Sequence, residues 1–95
     1  MQYEFKFLTM NIYVGNLNYE VNENDLTEVF EAYGTVNSSK VIIDKYSGRS
    51  KGFGFVTMEN PDEANHAIRE LNGAVYEERD MKVNEAKSKK ESFYR

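Results

Sequence analysis

Apolar and polar residues alternate along some stretches of this chain and recur every three or four residues along others. Asn11-Ile12-Tyr13-Val14 puts Ile12 and Val14 on one face of a strand and Tyr13 on the other. Gly15-Asn16-Leu17-Asn18 reads as a loop. Asn22 then fits a helix N-cap, with Asp25 at the third helical position and Val21 and Leu26 spaced as a hydrophobic staple. Leu26, Val29 and Phe30 give that helix its apolar stripe, and Gly34 after Tyr33 fits a C-terminal cap. A second strand runs from about Val36 to Ile43. Val41 and Ile43 are expected to point inward, with Lys40 and Ile42 on the other face. The segment from Lys45 to Ser50 is a basic turn around Ser47-Gly48. It leads into a third strand, Lys51-Gly52-Phe53-Gly54-Phe55-Val56-Thr57-Met58. Asn60-Pro61-Asp62-Glu63 opens a second helix, with an N-cap, a proline at the first position and Glu63 completing a capping box. Ala64, Ala67, Ile68 and Leu71 form its buried stripe, and Asn72-Gly73 ends it. Met81 to Glu85 is the fourth strand, with Met81 and Val83 inward.

The order βαββαβ predicts an α+β, ferredoxin-like fold, in which two helices cover one face of a four-stranded antiparallel sheet. The first and third strands are adjacent and central in that topology. Phe53 and Phe55 share one face of the third strand, while Val56 and Met58 share the other. Ile12, Val14, Val56 and Met58 fill the core side, so Tyr13, Phe53 and Phe55 are left facing solvent as one platform of three coplanar rings. Exposed aromatic rings cost solubility. The flat face of a nucleobase gives them a use, because stacking accepts any base and a nearby cation can hold the phosphate.

At these residues the sequence resembles the RNA recognition motif family. Residues 51–57 match the pattern K/R-G-F/Y-G/A-F-V-x-F/Y at every specified position, and Met58 stands where the pattern has an aromatic. That position is inward, so the departure concerns packing. Ile12-Tyr13-Val14-Gly15-Asn16-Leu17 is similar to the family's second, six-residue motif, and the resemblance covers about residues 10 to 88. It implies single-stranded RNA as partner, with Lys51 as a phosphate anchor. Asn11, Lys40, Ile42, Lys82, Asn84 and Lys87 are the remaining candidate contacts. Gly52 and Gly54 are expected to let backbone and bases approach closely. Stacking ignores the sugar, which makes single-stranded DNA a second candidate ligand.

Ninety-five residues make one small domain, divided here into an extension over residues 1–9, the domain over 10–88 and a basic polar tail over 89–95. Tyr3, Phe5 and Phe7 alternate within the extension. No cysteine is present, so neither disulfides nor thiolate metal sites arise. No apolar run reaches membrane-spanning length, and the amino terminus lacks the character of a secretory signal. The expectation is a cytoplasmic monomer that needs no cofactor, with the nucleus open to it as well in a eukaryote. A net charge of −4 speaks against a polyanionic partner, but its distribution answers the objection. Glu20, Glu23, Asp25, Glu28 and Glu31 lie together on and before the first helix. Lys40, Lys45, Arg49 and Lys51, and again Lys82, Lys87, Lys89 and Lys90, lie on strand ends and loops. A local basic patch steers a polyanion within a Debye length of ~8 Å at physiological salt.

Two rival functions stand beside RNA binding. A protein partner or a terminal helix covering the sheet would also explain exposed rings, and the family resemblance allows a protein-binding module that docks peptides on the helical face, although such domains have eroded aromatic motifs and this chain has intact ones. An enzyme on this fold, such as an acylphosphatase, needs an arginine in the loop after the first strand, and Gly15-Asn16-Leu17-Asn18-Tyr19 has none. His66, the single histidine, falls on the second helix as a surface residue, and no catalytic constellation appears. The role expected of an RNA binder this small is post-transcriptional regulation or RNA chaperoning.

Overall fold

The computed structural model describes residues 9–86. Lys87, the extension at residues 1–8 and the tail lie outside them. The elements run β1 (Met10–Gly15), α1 (Glu23–Glu31), β2 (Val36–Ile43), β3 (Ser50–Met58), α2 (Pro61–Leu71), β4 (Val75–Tyr76), β5 (Arg79–Asp80) and β6 (Lys82–Ala86). β2, β3, β1 and β6 form an antiparallel sheet in that spatial order, so β1 and β3 are central as the ferredoxin-like topology requires. Ile12, Val14, Val56, Met58 and Val83 present the sheet's buried face, with no accessible surface left. Leu26 and Phe30 of α1 and Ala64, Ala67 and Leu71 of α2 close over it. Among the described residues no helix is long and apolar enough to cross a membrane.

Capping explains where the helices start. Asn22 accepts from the Asp25 N–H at 2.9 Å, and the Asp25 carboxylate accepts from the Asn22 N–H at 3.0 Å, which is a full capping box. The flanking Val21 and Leu26 are both buried, as a staple requires. Asn60 accepts from the N–H groups of Asp62 and Glu63, with Pro61 at the first position. Two expectations are corrected. Glu63 does not complete a capping box, because its carboxylate accepts instead from the Thr35 N–H at 3.2 Å. Gly34 is not the cap of α1, which ends at Ala32 in right-handed geometry. The glycine is needed because a Cβ there would run into the Glu63 side chain.

Both edge strands of the sheet have an N–H taken by a side chain, which blunts an exposed edge. On β2 the Val41 N–H donates to the Glu23 carboxylate at 3.1 Å, and on β6 the Val83 N–H donates to the Asn72 amide oxygen at 2.9 Å. Pairing of β2 with β3 slips between Val41 and Ile43, the first pairing with Gly54 and the second with Ser50. The extra residues lie on β3, where Gly52 adopts φ +84° and bends the strand. Ile43 was expected inward; the slip carries it out of the core and leaves it half exposed. The β4–β5 hairpin was not foreseen at all. It sits in its own two-stranded ribbon, with positive φ at both turn residues, Glu77 and Glu78.

Candidate nucleic-acid interface

The register builds a site on the sheet face away from the helices. Residues directly opposite in antiparallel strands share a face, so Lys40, Phe55, Tyr13 and Asn84 form one row across β2, β3, β1 and β6. Gly15 pairs with Lys82 at one end of the sheet, and Asn11 pairs with Thr57 toward the other. Ile42, half-buried, follows Val41 and falls on the ring side by alternation. The ring centroids lie 5.9 Å apart for Tyr13–Phe53, 5.9 Å for Tyr13–Phe55 and 6.2 Å for Phe53–Phe55. One contiguous aromatic surface results, as expected, but its rings are not coplanar. Tyr13 and Phe53 tilt by 35°, while Phe55 stands at 64° to Tyr13 and 87° to Phe53. Such edge-to-face contacts hold rings in place through their quadrupoles. They also offer three separate stations in place of a flat floor.

Glycines shape this surface from inside the protein. A Cβ on Gly15 would collide with the Tyr13 ring, so the bare backbone gives the ring its bed. A Cβ on Gly54 would collide with the Lys40 carbonyl of β2. Gly52 is buried against Tyr19, and its carbonyl accepts from the Leu17 N–H at 2.8 Å. Gly52 and Gly54 therefore admit neighbouring protein backbone, as expected.

The polar residues are set around the rings. Asn11 accepts from the Thr57 hydroxyl at 2.8 Å, which leaves its amide N–H groups as donors on the open face. Lys40, Lys82 and Asn84 are exposed on the ring side. Lys51 lines a cleft of about 1270 Å³ together with Phe53, Tyr19, Ile43 and Arg49, at the end of the sheet where the β2–β3 loop closes. Lys87, the last sequence candidate, lies outside the described residues. His66 stays on the surface of α2, with Tyr33 edge-on to its ring at 5.3 Å. Burial, with Asp25, Glu77 and Glu28 adding to it, pushes the Tyr76 phenol up from its ordinary value. No cluster suited to a metal ion occurs among the described residues.

Sequence reasoning missed three residues here: Asn16, Tyr19 and Arg79. The Arg79 guanidinium lies 5.4 Å from the Tyr19 ring centroid and donates to the Asn16 amide oxygen at 3.0 Å. Arg79 gave no signal because its hairpin gave none. Tyr19 stood in view in the loop after β1 as an aromatic without a place in either strand face.

The profile of the RNA recognition motif matches residues 12–82, and the chain belongs to that family. It is 51% identical over 78 residues to a Synechocystis protein named "Putative RNA-binding protein RbpA", covering 82% of this chain and 77% of that one. The crystal structure of RNA Binding Protein PG1 superposes with a TM-score of 0.82 at 51% identity, covering 84% of this chain and 96% of that one. The structure of the Rna15 RRM with bound RNA (GU) gives a TM-score of 0.74 at 25% identity, over 88% and 93% of the two chains. The first two are RNA-binding proteins by name and the third was solved with RNA bound; none of the three is named as an enzyme.

Proposed function

We propose that this chain binds single-stranded RNA on the open face of its sheet, with Tyr13, Phe53 and Phe55 as stacking stations. Lys40, Lys51, Lys82 and Lys87 hold phosphates, and Asn11, Ile42 and Asn84 contact bases or sugars. The observation that carries the reading is the set of three rings in mutual contact on the one face that neither helix covers. Membership of the RNA recognition motif family, and a family fold that superposes on one solved with RNA bound, support it. In this reading residues 10–88 are the binding module, working as a monomer in the cytoplasm in post-transcriptional regulation or RNA chaperoning. It transforms no substrate. Single-stranded DNA binds too, because stacking is indifferent to the sugar, and is weaker by whatever the 2′-hydroxyl contacts contribute.

Phe55, the most exposed of the three rings, tests this. Phe55→Ala should weaken binding of a short single-stranded RNA by ~1–3 kcal/mol, the usual worth of one base–aromatic stack, without unfolding the domain. The measurements are a fluorescence titration and a thermal melt of the same preparation. A lowered melting temperature with unchanged RNA affinity would make the ring structural and the reading wrong.

A further inference from the structure

The β4–β5 hairpin stands outside the four-stranded sheet, yet it is tied to the end of β1 by side chains that hold its turn and fix an arginine. Asn16 donates its amide to the Asp80 carbonyl at 2.8 Å and accepts from Arg79 at 3.0 Å. Asn18 donates to the Glu77 carbonyl at 3.2 Å, so the loop after β1 grips both β5 and the turn of the hairpin. Asn16 does this from φ +55°, a left-handed conformation that asparagine tolerates better than most side chains. The Arg79 guanidinium then lies over Tyr19, whose ring is itself packed against Gly52 of β3.

Held this way, Arg79 spends one of its five N–H donors on Asn16 and forms no ion pair among the described residues. A guanidinium with free donors suits a bidentate phosphate contact, and a cation–π contact with an aromatic ring costs it none of those donors. Its position follows from the chain. Asp80 is clamped to Asn16, the residue after Gly15, and Gly15 pairs with Lys82 on the ring side of the sheet. Tyr19 also borders the cleft that touches Phe53. A strand leaving Phe53 at this end of the sheet therefore meets Arg79.

We propose that Arg79 is a pre-positioned anchor for a backbone phosphate of bound RNA, oriented by Asn16 and Tyr19, and that the hairpin serves to carry it. The proposal rests on the RNA-binding reading above and adds a contact beyond the rings. Asn16 and Tyr19 are positioning residues, acting through Arg79.

The probe is a short randomised single-stranded RNA pool, titrated across salt concentrations against the full chain and its variants, each checked by thermal melt. Arg79→Ala removes one phosphate contact. The log–log salt slope should become shallower by ~0.7, and affinity at 0.1 M salt should fall about 5-fold. Arg79→Lys should keep the slope and lose affinity, because the charge remains and the fixed fork does not. Asn16→Gly relieves the left-handed backbone while removing the clamp, and it too should lose affinity at unchanged slope. A purely structural latch would move the melting temperature and leave the slope alone. Phe55→Ala runs in parallel to separate the two ideas. If it weakens binding while Arg79→Ala matches the wild type in slope and affinity, the anchor is overturned and the RNA reading stands. If Phe55→Ala has no effect either, the RNA reading fails and the anchor with it. Should Arg79→Ala fail to fold, Arg79→Lys decides, and wild-type affinity there overturns the anchor.

Discussion

Gly15 and Gly54 show how single missing side chains divide stability from binding in this molecule. A Cβ at Gly54 would meet backbone, the Lys40 carbonyl and, at 3.1 Å, the Val41 Cα, and backbone in a paired strand cannot step aside. Gly54→Ala should therefore destabilise the fold by ~1–3 kcal/mol, the usual cost of overpacking. The atoms nearest a Cβ at Gly15 all belong to the Tyr13 ring, with Cζ at 2.7 Å and Cε2 at 2.8 Å, and a ring on an open face can swing away. Gly15→Ala should leave the melting temperature nearly unchanged and reduce RNA affinity, since a Tyr13 station has moved. Paired thermal melts and RNA titrations check this, and equal loss of stability in the two variants would refute the distinction. Alternation in Asn11–Val14 and Lys51–Met58 was enough to assign Tyr13, Phe53 and Phe55 to the open face, because the pleat dictates it. Their tilts were not legible, because ring planes depend on side-chain torsions that a face assignment leaves free.

Among the elements, the hairpin of β4 and β5 was hidden by its own turn. Two-residue turns with positive φ at both central positions favour Asn-Gly or Asp-Gly, and here the residues are Glu77 at φ +49° and Glu78 at φ +71°. Strain of that kind costs on the order of 1 kcal/mol or more per residue, so Asn16, Asn18 and the Arg79–Tyr19 contact must over-determine the turn. Replacing the pair by the favoured residues, Glu77→Asn with Glu78→Gly, should raise stability by ~1 kcal/mol in a denaturant melt without lowering RNA affinity. A drop in stability would mean that the carboxylates themselves hold the hairpin. The other misreadings have the same root. Asn22 with Asp25, and Asn60 with Pro61, act within one turn of helix and were legible. Glu63 and Gly34 were misread because Glu63 reaches across to Thr35, 28 residues away in sequence. Ile43 was misplaced because Gly52, on the neighbouring strand, changes the register opposite it. Capping rules describe local contacts, and these residues answer to distant ones.

Across the whole molecule the two faces of the domain differ in charge, which reconciles a net charge of −4 with a polyanionic ligand. Glu23, Asp25, Glu28 and Glu31 lie on α1, and Asp62, Glu63 and Glu70 on α2. Lys40, Lys51 and Lys82 lie on the sheet strands, and Arg79 at their edge. With acid on the helical side, a polyanion gains attraction as it approaches the rings, so in the proposed reading charge orients the RNA and stacking holds it. In that reading the rings decide which polyanion stays. A duplex keeps its base faces inside its own stack and offers phosphates alone, whereas a single strand can splay bases onto three stations tilted to one another by 35° to 87°. Equal nucleotide concentrations of one RNA, single-stranded and annealed to its complement, should therefore compete unequally against a labelled single strand, with the duplex much the weaker. The difference should grow as salt is raised, because screening removes the phosphate attraction that both share and leaves the stacking that only one can use. Equal competition at every salt concentration would mean that charge carries the binding, and Tyr13, Phe53 and Phe55 would lose their part in it.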